Sequence, residues 1–170
     1  SNKKAITASD IYTDCIFNVV EIKAVSENVG ESFGTAEIVS NEGKLVTNAH
    51  VVTYTKLNTV FTFEKYYIRF TNEKNYRTAT LEKYDSDTDL AILQISDFTD
   101  LAIKPIKFGN SKDLKFGDKV YAVGNAANYG IGIFEGIISI PLVNIQLDNI
   151  TRNVIQCDLT IAAGNSGGAL

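Results

Sequence analysis

Short β-rich runs recur along the whole chain, each bounded by turn-forming residues, and this pattern constrains the fold more than any other feature. Val20, Ile22 and Ala24 alternate with Glu21 and Lys23, the period of two that gives a sheet one dry and one wet face. Further runs lie at Phe33–Val39, Leu45–Thr47, Tyr66–Thr71, Tyr76–Tyr84, Leu90–Ile95, Val120–Val123, Ile131–Ile140 and Val154–Asp158. Asn41–Gly43, Thr71–Glu73, Gly109–Ser111, Phe116–Asp118 and Asn128–Gly130 supply the turns between them. Helical periodicity is weak, and the candidates are Ala8–Thr13 and a short turn after His50. Many short strands at close spacing predict an all-β sandwich or barrel.

The stretch Phe98–Asp118, with Pro105, two glycines and mixed charge, separates about six strands from a later, shorter group. The organisation expected is an extension over residues 1–14, a first barrel over 15–97, a linker over 98–117 and a second barrel over 118–170. The second group ends after about four strand signals, so a closed six-stranded barrel would need roughly two more. As written, the second barrel is expected to be incomplete at its C-terminal end.

Bulk properties remove several function classes. Apolar residues make up 45% of the 170 and charged residues 21%, which excludes a disordered chain. A net charge of −4 with no Lys/Arg cluster gives no footprint for nucleic acid or an anionic membrane, and Lys3–Lys4 is too short to change this. No run approaches the roughly 18 apolar residues that span a bilayer. No signal peptide is visible, and Ser1–Lys4 reads as a trimmed end, so neither bears on location. Cys15 and Cys157 sit in apolar, strand-like runs and read as two buried thiols, a disulfide being the minority alternative.

Three segments carry chemistry. Gly164–Asn165–Ser166–Gly167–Gly168 surrounds a serine with glycines, which permit a tight turn and close approach of a substrate backbone. A nucleophilic serine needs such a turn, with N–H groups converging on the developing oxyanion; an ordinary Gly/Ser loop is the bland alternative. His50 is the only histidine, at a strand end in Thr47–Asn48–Ala49–His50–Val51–Val52, and it is the one available base near neutral pKa. Asp89 enters the apolar run Leu90–Leu93, so it is expected to be partly buried and partnered. The alternation of Asp85, Asp87 and Asp89 resembles a calcium loop, but Leu90 and Ser96 stand where an EF-hand needs Gly and Glu. The chain order His50, Asp89, Ser166 is that of chymotrypsin, not of subtilisin or the α/β-hydrolases.

Thr47–Val52, Thr88–Leu93 and Gly164–Leu170 resemble the three signature segments of the HtrA/Deg branch of trypsin-like serine proteases. Gly34–Val39 resembles the strand before that histidine. Val123–Gly124–Asn125 and Gly136–Ser139 resemble the second-barrel hairpin. The match runs from about Ile16 to Leu170. It implies two antiparallel β-barrels of the chymotrypsin/trypsin-like fold and a serine endopeptidase with the triad His50, Asp89 and Ser166. It also implies oxyanion donors at Gly164 and Ser166, no cofactor or metal, and protein or peptide substrates met outside the cytoplasm, commonly misfolded or exported proteins. The family often carries a PDZ domain downstream and often forms homo-oligomers, trimers among them; neither is legible here.

Two departures are informative. Asn165 precedes the serine where pancreatic-type proteases use Asp to capture a new N-terminus, so no zymogen switch of that kind is expected. Thr160 stands at the pocket-base position where trypsin-like specificity needs Asp, so small or medium apolar residues are expected at the cleavage site. The chain ends four residues after Ser166. Three explanations stand: a continuation not given, strands supplied by another chain, or a short form with a degraded site. The competing function is a catalytically silent barrel that binds unfolded polypeptide or acts as a scaffold; a Glu-specific protease of the same fold would share the triad.

Overall fold

A computed structural model describes residues 4–170; the trimmed terminus read at Ser1–Lys4 falls, for residues 1–3, outside them. The chain opens with α1 (Ala8–Cys15), whose start is set by a capping box. Thr7 Oγ1 accepts from Asp10 N at 3.2 Å and Asp10 Oδ2 accepts from Thr7 N at 3.0 Å. Those bonds hold the Asp10 carboxyl below its usual range. Cys15, expected in a strand-like run, is the last residue of this helix, whereas Cys157 lies in a strand as expected; both thiols are free and half-buried.

Six strands then close a barrel. They are β1 (Val19–Ser26), β2 (Gly30–Ile38), β3 (Lys44–Thr47), β6 (Lys65–Arg69), β7 (Arg77–Asp85) and β8 (Leu90–Ile95), and they pair antiparallel in the order β1-β2-β3-β8-β7-β6. Alternation does what the sequence predicts: Ile22, Ala24, Ile38, Leu45, Ile68, Leu93 and Ile95 fill the interior and are essentially fully buried. Each of the Ile and Leu side chains among them is worth about 1.5–3 kcal/mol on burial. Two elements interrupt the barrel order after β3. The short α2 (Ala49–Val52) carries His50, and the hairpin β4 (Thr53–Lys56) to β5 (Thr59–Thr62) turns at Leu57 and Asn58, both at positive φ. Positive φ at both central residues is the signature of the type I′ hairpin turn.

The linker contains only a short 3₁₀ turn at Ser111–Asp113. It is pinned to the barrel by Ile106 N donating to Ile38 O at 2.9 Å and by Arg77 paired bidentately with Asp100. Beyond it, β9 (Lys119–Gly124), β10 (Gly132–Leu147) and β11 (Ile150–Asp158) form an open sheet in the order β11-β10-β9, and a bridge joins Val123 to Ala169. β10 and β11 run past the expected runs to a two-residue turn at Asp148–Asn149, both again at positive φ.

The second half packs on the outside of β1 and β2. Val19 joins Val123 and Ile131 in a small second core, against which Ile11, Tyr12 and Cys15 of α1 rest. Strand residues whose alternation points them away from the barrel interior are therefore also buried here: Thr35 fully, Glu37 to 6% exposure.

Candidate active site

α2 begins immediately after β3, so the backbone leaves the barrel edge with His50 on its first turn. Asp89 sits between β7 and β8 at φ 56, a left-handed conformation that few residues other than Gly, Asn and Asp adopt readily. Asn48 Nδ2 holds its carbonyl at 2.9 Å. This geometry turns the carboxylate onto α2. Asp89 Oδ1 accepts from His50 N at 2.9 Å, and Asp89 Oδ2 lies 2.7 Å from His50 Nδ1. A carboxylate only accepts, so the proton of the neutral ring sits on Nδ1 and Nε2 keeps its lone pair. Asp85 closes the preceding turn, accepting from Asp87 N at 3.1 Å and Thr88 Oγ1 at 2.9 Å. These bonds hold its carboxyl below the usual range, and that explains the acidic alternation without a cation.

The serine loop reaches the same region from the other half. Gly34 lies against both Val51, the neighbour of His50, and the carbonyl of Ser166; a Cβ on Gly34 would meet them at 2.8 and 3.0 Å. A cavity of about 390 Å³ is lined by Ser166 and Asn165 on one side and by Asn48 and Leu90, close neighbours of His50 and Asp89, on the other. Gly167, at φ 81, presses on Thr35 O and Thr47 Oγ1, so no larger residue fits. The N–H groups of Gly164 and Ser166, the two expected oxyanion donors, make no hydrogen bond among the described residues, while Ala163 O accepts from Ala127 N at 2.6 Å. No hydrogen bond among the described residues joins Ser166 Oγ to His50. The structure thus joins His50 to Asp89 directly and places Ser166 on a cavity wall with Asn48 and Leu90, chain neighbours of those two residues. Thr160 is exposed and lines neither cavity beside Asn165, whereas its neighbour Ile161 lines both. Asn165 is buried with both amide atoms unpartnered, an environment in which an Asp would carry an uncompensated charge.

Several residues at the site are not evident from the sequence. Thr35 binds the serine loop, Glu37 is buried in the cavity wall, and the β10–β11 tip lines a cavity that His50 also lines. Arg152 donates from Nε to Asp87 O at 2.7 Å and from Nη2 to Ser86 O at 3.2 Å, clamping the turn that carries Asp89. Asp148 and Arg152 share a cavity of about 310 Å³ with His50, Asp89, Thr55 and Val60. The unbroken alternation Val143, Ile145, Leu147 before Asp148–Asn149 was the available signal for this hairpin.

Residues 34–170 match the trypsin-like peptidase domain. The chain belongs to the trypsin-like peptidase family. Within it, the similarities fall on the HtrA-like branch. The chain is 35% identical over 156 residues to a probable periplasmic DegP-like serine endoprotease of Rickettsia prowazekii, covering 90% of this chain and 28% of that protein. It is 34% identical over 154 residues to the Do-like serine protease HtrA of Bacillus subtilis, covering 85% of this chain and 32% of the relative. Among solved structures, the HtrA-type protease AlgW with a tripeptide superposes with a TM-score of 0.81 at 28% identity, over 96% of this chain and half of that one. The chain therefore spans about a third or less of these curated relatives. The all-β fold, with one closed barrel followed by an open sheet of three strands, agrees with the sequence reading of a trypsin-like fold.

Proposed function

We propose that the chain is the body of a serine endopeptidase in which Ser166 is the nucleophile, His50 the general base and Asp89 the group that orients and charges-balances the imidazole. One observation carries this reading: Asp89 grips His50 through both ring Nδ1 and backbone N, so that in the neutral ring the proton sits on Nδ1 and Nε2 is the nitrogen left to act as base, on a side chain that is exposed. In that state Nε2 takes the Ser166 proton as Oγ attacks a peptide carbonyl, then returns it to the leaving amine, while Asp89 stabilises the imidazolium between the two steps. The unoccupied N–H groups of Gly164 and Ser166 would receive the oxyanion, each worth roughly 3–4 kcal/mol in comparable sites. Hydrogen bonds between catalytic groups are often long in substrate-free enzymes and tighten in the complex, which accounts for Ser166 standing apart from His50.

The substrates are protein or peptide chains; small or medium apolar residues before the scissile bond are an expectation of the family resemblance, in which Thr160 brings no charge, although Thr160 itself is exposed and lines neither cavity beside Asn165. Work outside the cytoplasm, in protein quality control or processing, fits a relative described as periplasmic. Homo-oligomers and a downstream PDZ domain are further expectations of the family resemblance. The test is hydrolysis of an unfolded protein such as casein by wild type against Ser166→Ala, with a peptide library read for the cleavage-site residue. Cleavage lost in the variant supports the reading; equal cleavage by both overturns it. The competing reading, a silent module that binds unfolded polypeptide, would be selected by retained binding without hydrolysis by wild type.

A further inference from the structure

The loop that carries Ser166 belongs to the second half of the chain, yet its most buried anchor is a first-barrel residue. Thr35 lies on the outer face of β2 and is fully buried. Every polar atom it has is engaged. Its N–H donates to Ser166 O at 2.9 Å and its Oγ1 donates to Gly164 O at 2.8 Å. The same Oγ1 accepts from Asn125 N at 2.8 Å, and its carbonyl accepts from Thr47 Oγ1 at 2.6 Å.

From this geometry we infer that Thr35 is a positioning residue that sets the oxyanion loop through its hydroxyl, an inference that rests on the protease reading above. A hydroxyl has one proton and two lone pairs, and here it is both donor and acceptor between two loops that share no strand pairing. One loop is Gly164–Ser166. The other is the turn Asn125–Asn128, in which Ala127 and Asn128 both have positive φ. That turn in its own right directs Ala127 N onto Ala163 O, fixing the peptide plane whose N–H is the Gly164 donor. Thr35 Oγ1 therefore restrains the two peptide units that meet at Gly164: the following one directly at Gly164 O, and the preceding one at Ala163 O through the turn that begins at Asn125. Its backbone N–H separately fixes the carbonyl of the nucleophile itself. Gly167 packs so near Thr35 O and Thr47 Oγ1 that a Cβ there would collide with both, so the loop lies close against β2 at this point. A preorganised donor pair acts on the transition state more than on substrate binding, so loss of the hydroxyl should appear in kcat, with KM little changed.

The experiment compares Thr35→Val, which keeps the shape and removes the hydroxyl, with Thr35→Ser, which keeps the hydroxyl, in the full chain. Thr35→Val is expected to lower kcat about 10- to 100-fold, with KM within about threefold, and Thr35→Ser to stay within about threefold of wild type. Equal activity of Thr35→Val and wild type, or an equal loss in both variants, overturns the inference while leaving the protease reading intact. A wild type as inert as Ser166→Ala sinks that reading instead. Hydrogen exchange of the Asn125 amide in the wild-type protein tests Thr35 whether or not the protein is active and whether or not Thr35→Val folds. Protection is expected, with faster exchange in Thr35→Val where it folds, and an unprotected Asn125 amide refutes the anchor.

Discussion

Replacing Glu37 with Gln should remove part of the pH dependence of stability. Glu37 is a strand residue whose outward side chain is covered by the second half of the chain, leaving it 6% exposed with Oε1 unpartnered. Burial pushes its carboxyl up from an ordinary 4.5 to about 8. The unfolded chain therefore releases this proton near pH 4.5, while the folded chain keeps it until about pH 8. Between those limits folding takes up a proton, so the stabilisation is full below about pH 4.5 and declines as pH rises, by about 1.4 kcal/mol per unit. Across the whole window the loss is on the order of 4–5 kcal/mol, and above pH 8 it stops growing. Gln has the same shape and no proton to lose. Thermal unfolding of wild type and Glu37→Gln from pH 4.5 to 8.5 at constant ionic strength should give similar Tm values at the acid end. At pH 8 the variant should stand higher by about 10 °C, using 2–4 °C per kcal/mol for a chain of this size. The depressed carboxyls Asp10, Asp85 and Asp100 act with the opposite sign, lose their contribution only below the ordinary carboxylate range, and cancel in the difference curve. Cys15 and Cys157 are pushed up by burial and stay neutral through the window. A flat difference between the two proteins from pH 5 to 8 would refute the reasoning, since it would mean that burial does not hold the Glu37 carboxyl protonated above its ordinary range.

Other substitutions probe other parts of the account. Asp89→Asn should lower kcat by roughly 10⁴ in peptide hydrolysis with the fold intact by circular dichroism, because an amide can donate to Nδ1 and favour the wrong imidazole tautomer. Arg152→Ala frees the Ser86–Asp87 carbonyls, and should increase backbone mobility of the Asp89 turn by NMR relaxation and lower kcat/KM several-fold, while Tm moves little because the contact is at the surface. Leu93→Ala in the barrel interior should cost about 2–5 kcal/mol in denaturant unfolding at unchanged m-value.

The first barrel was legible because its strands alternate cleanly and each turn carries a Gly, Asn or Asp; Ile22, Leu45 and Leu93 point inward as their periodicity requires. The β4–β5 hairpin was not, because Thr53–Thr62 is largely polar and exposed and its turn, Leu57–Asn58, lacks glycine. The outer halves of β10 and β11 were missed although Val143, Ile145 and Leu147 alternate, because Pro141 reads as a strand end; the register shifts between Ile140 and Val143, where a bulge accommodates it. Cys15 misled for a related reason: the apolar run after it belongs to a strand, but the Thr7–Asp10 capping box commits the residues before it to a helix. In the site, His50, Asp89 and Ser166 stood out by residue type and chain order. Thr35 and Glu37 did not, since alternation assigns them to a wet face. Only the docking of the second half onto β2, a contact between segments about ninety residues apart, buries them. Local patterning says which face of a strand is apolar; it does not say what else will be stacked on the other.

The reactivity of Ser166 tests the account most directly. Wild-type protein treated with a fluorophosphonate probe near neutral pH should be labelled once, on the peptide carrying Ser166 by mass spectrometry, and His50→Ala should abolish the labelling while leaving the barrel folded. Labelling that persists in His50→Ala, or a wild-type Ser166 no more reactive than the other serines, would contradict it.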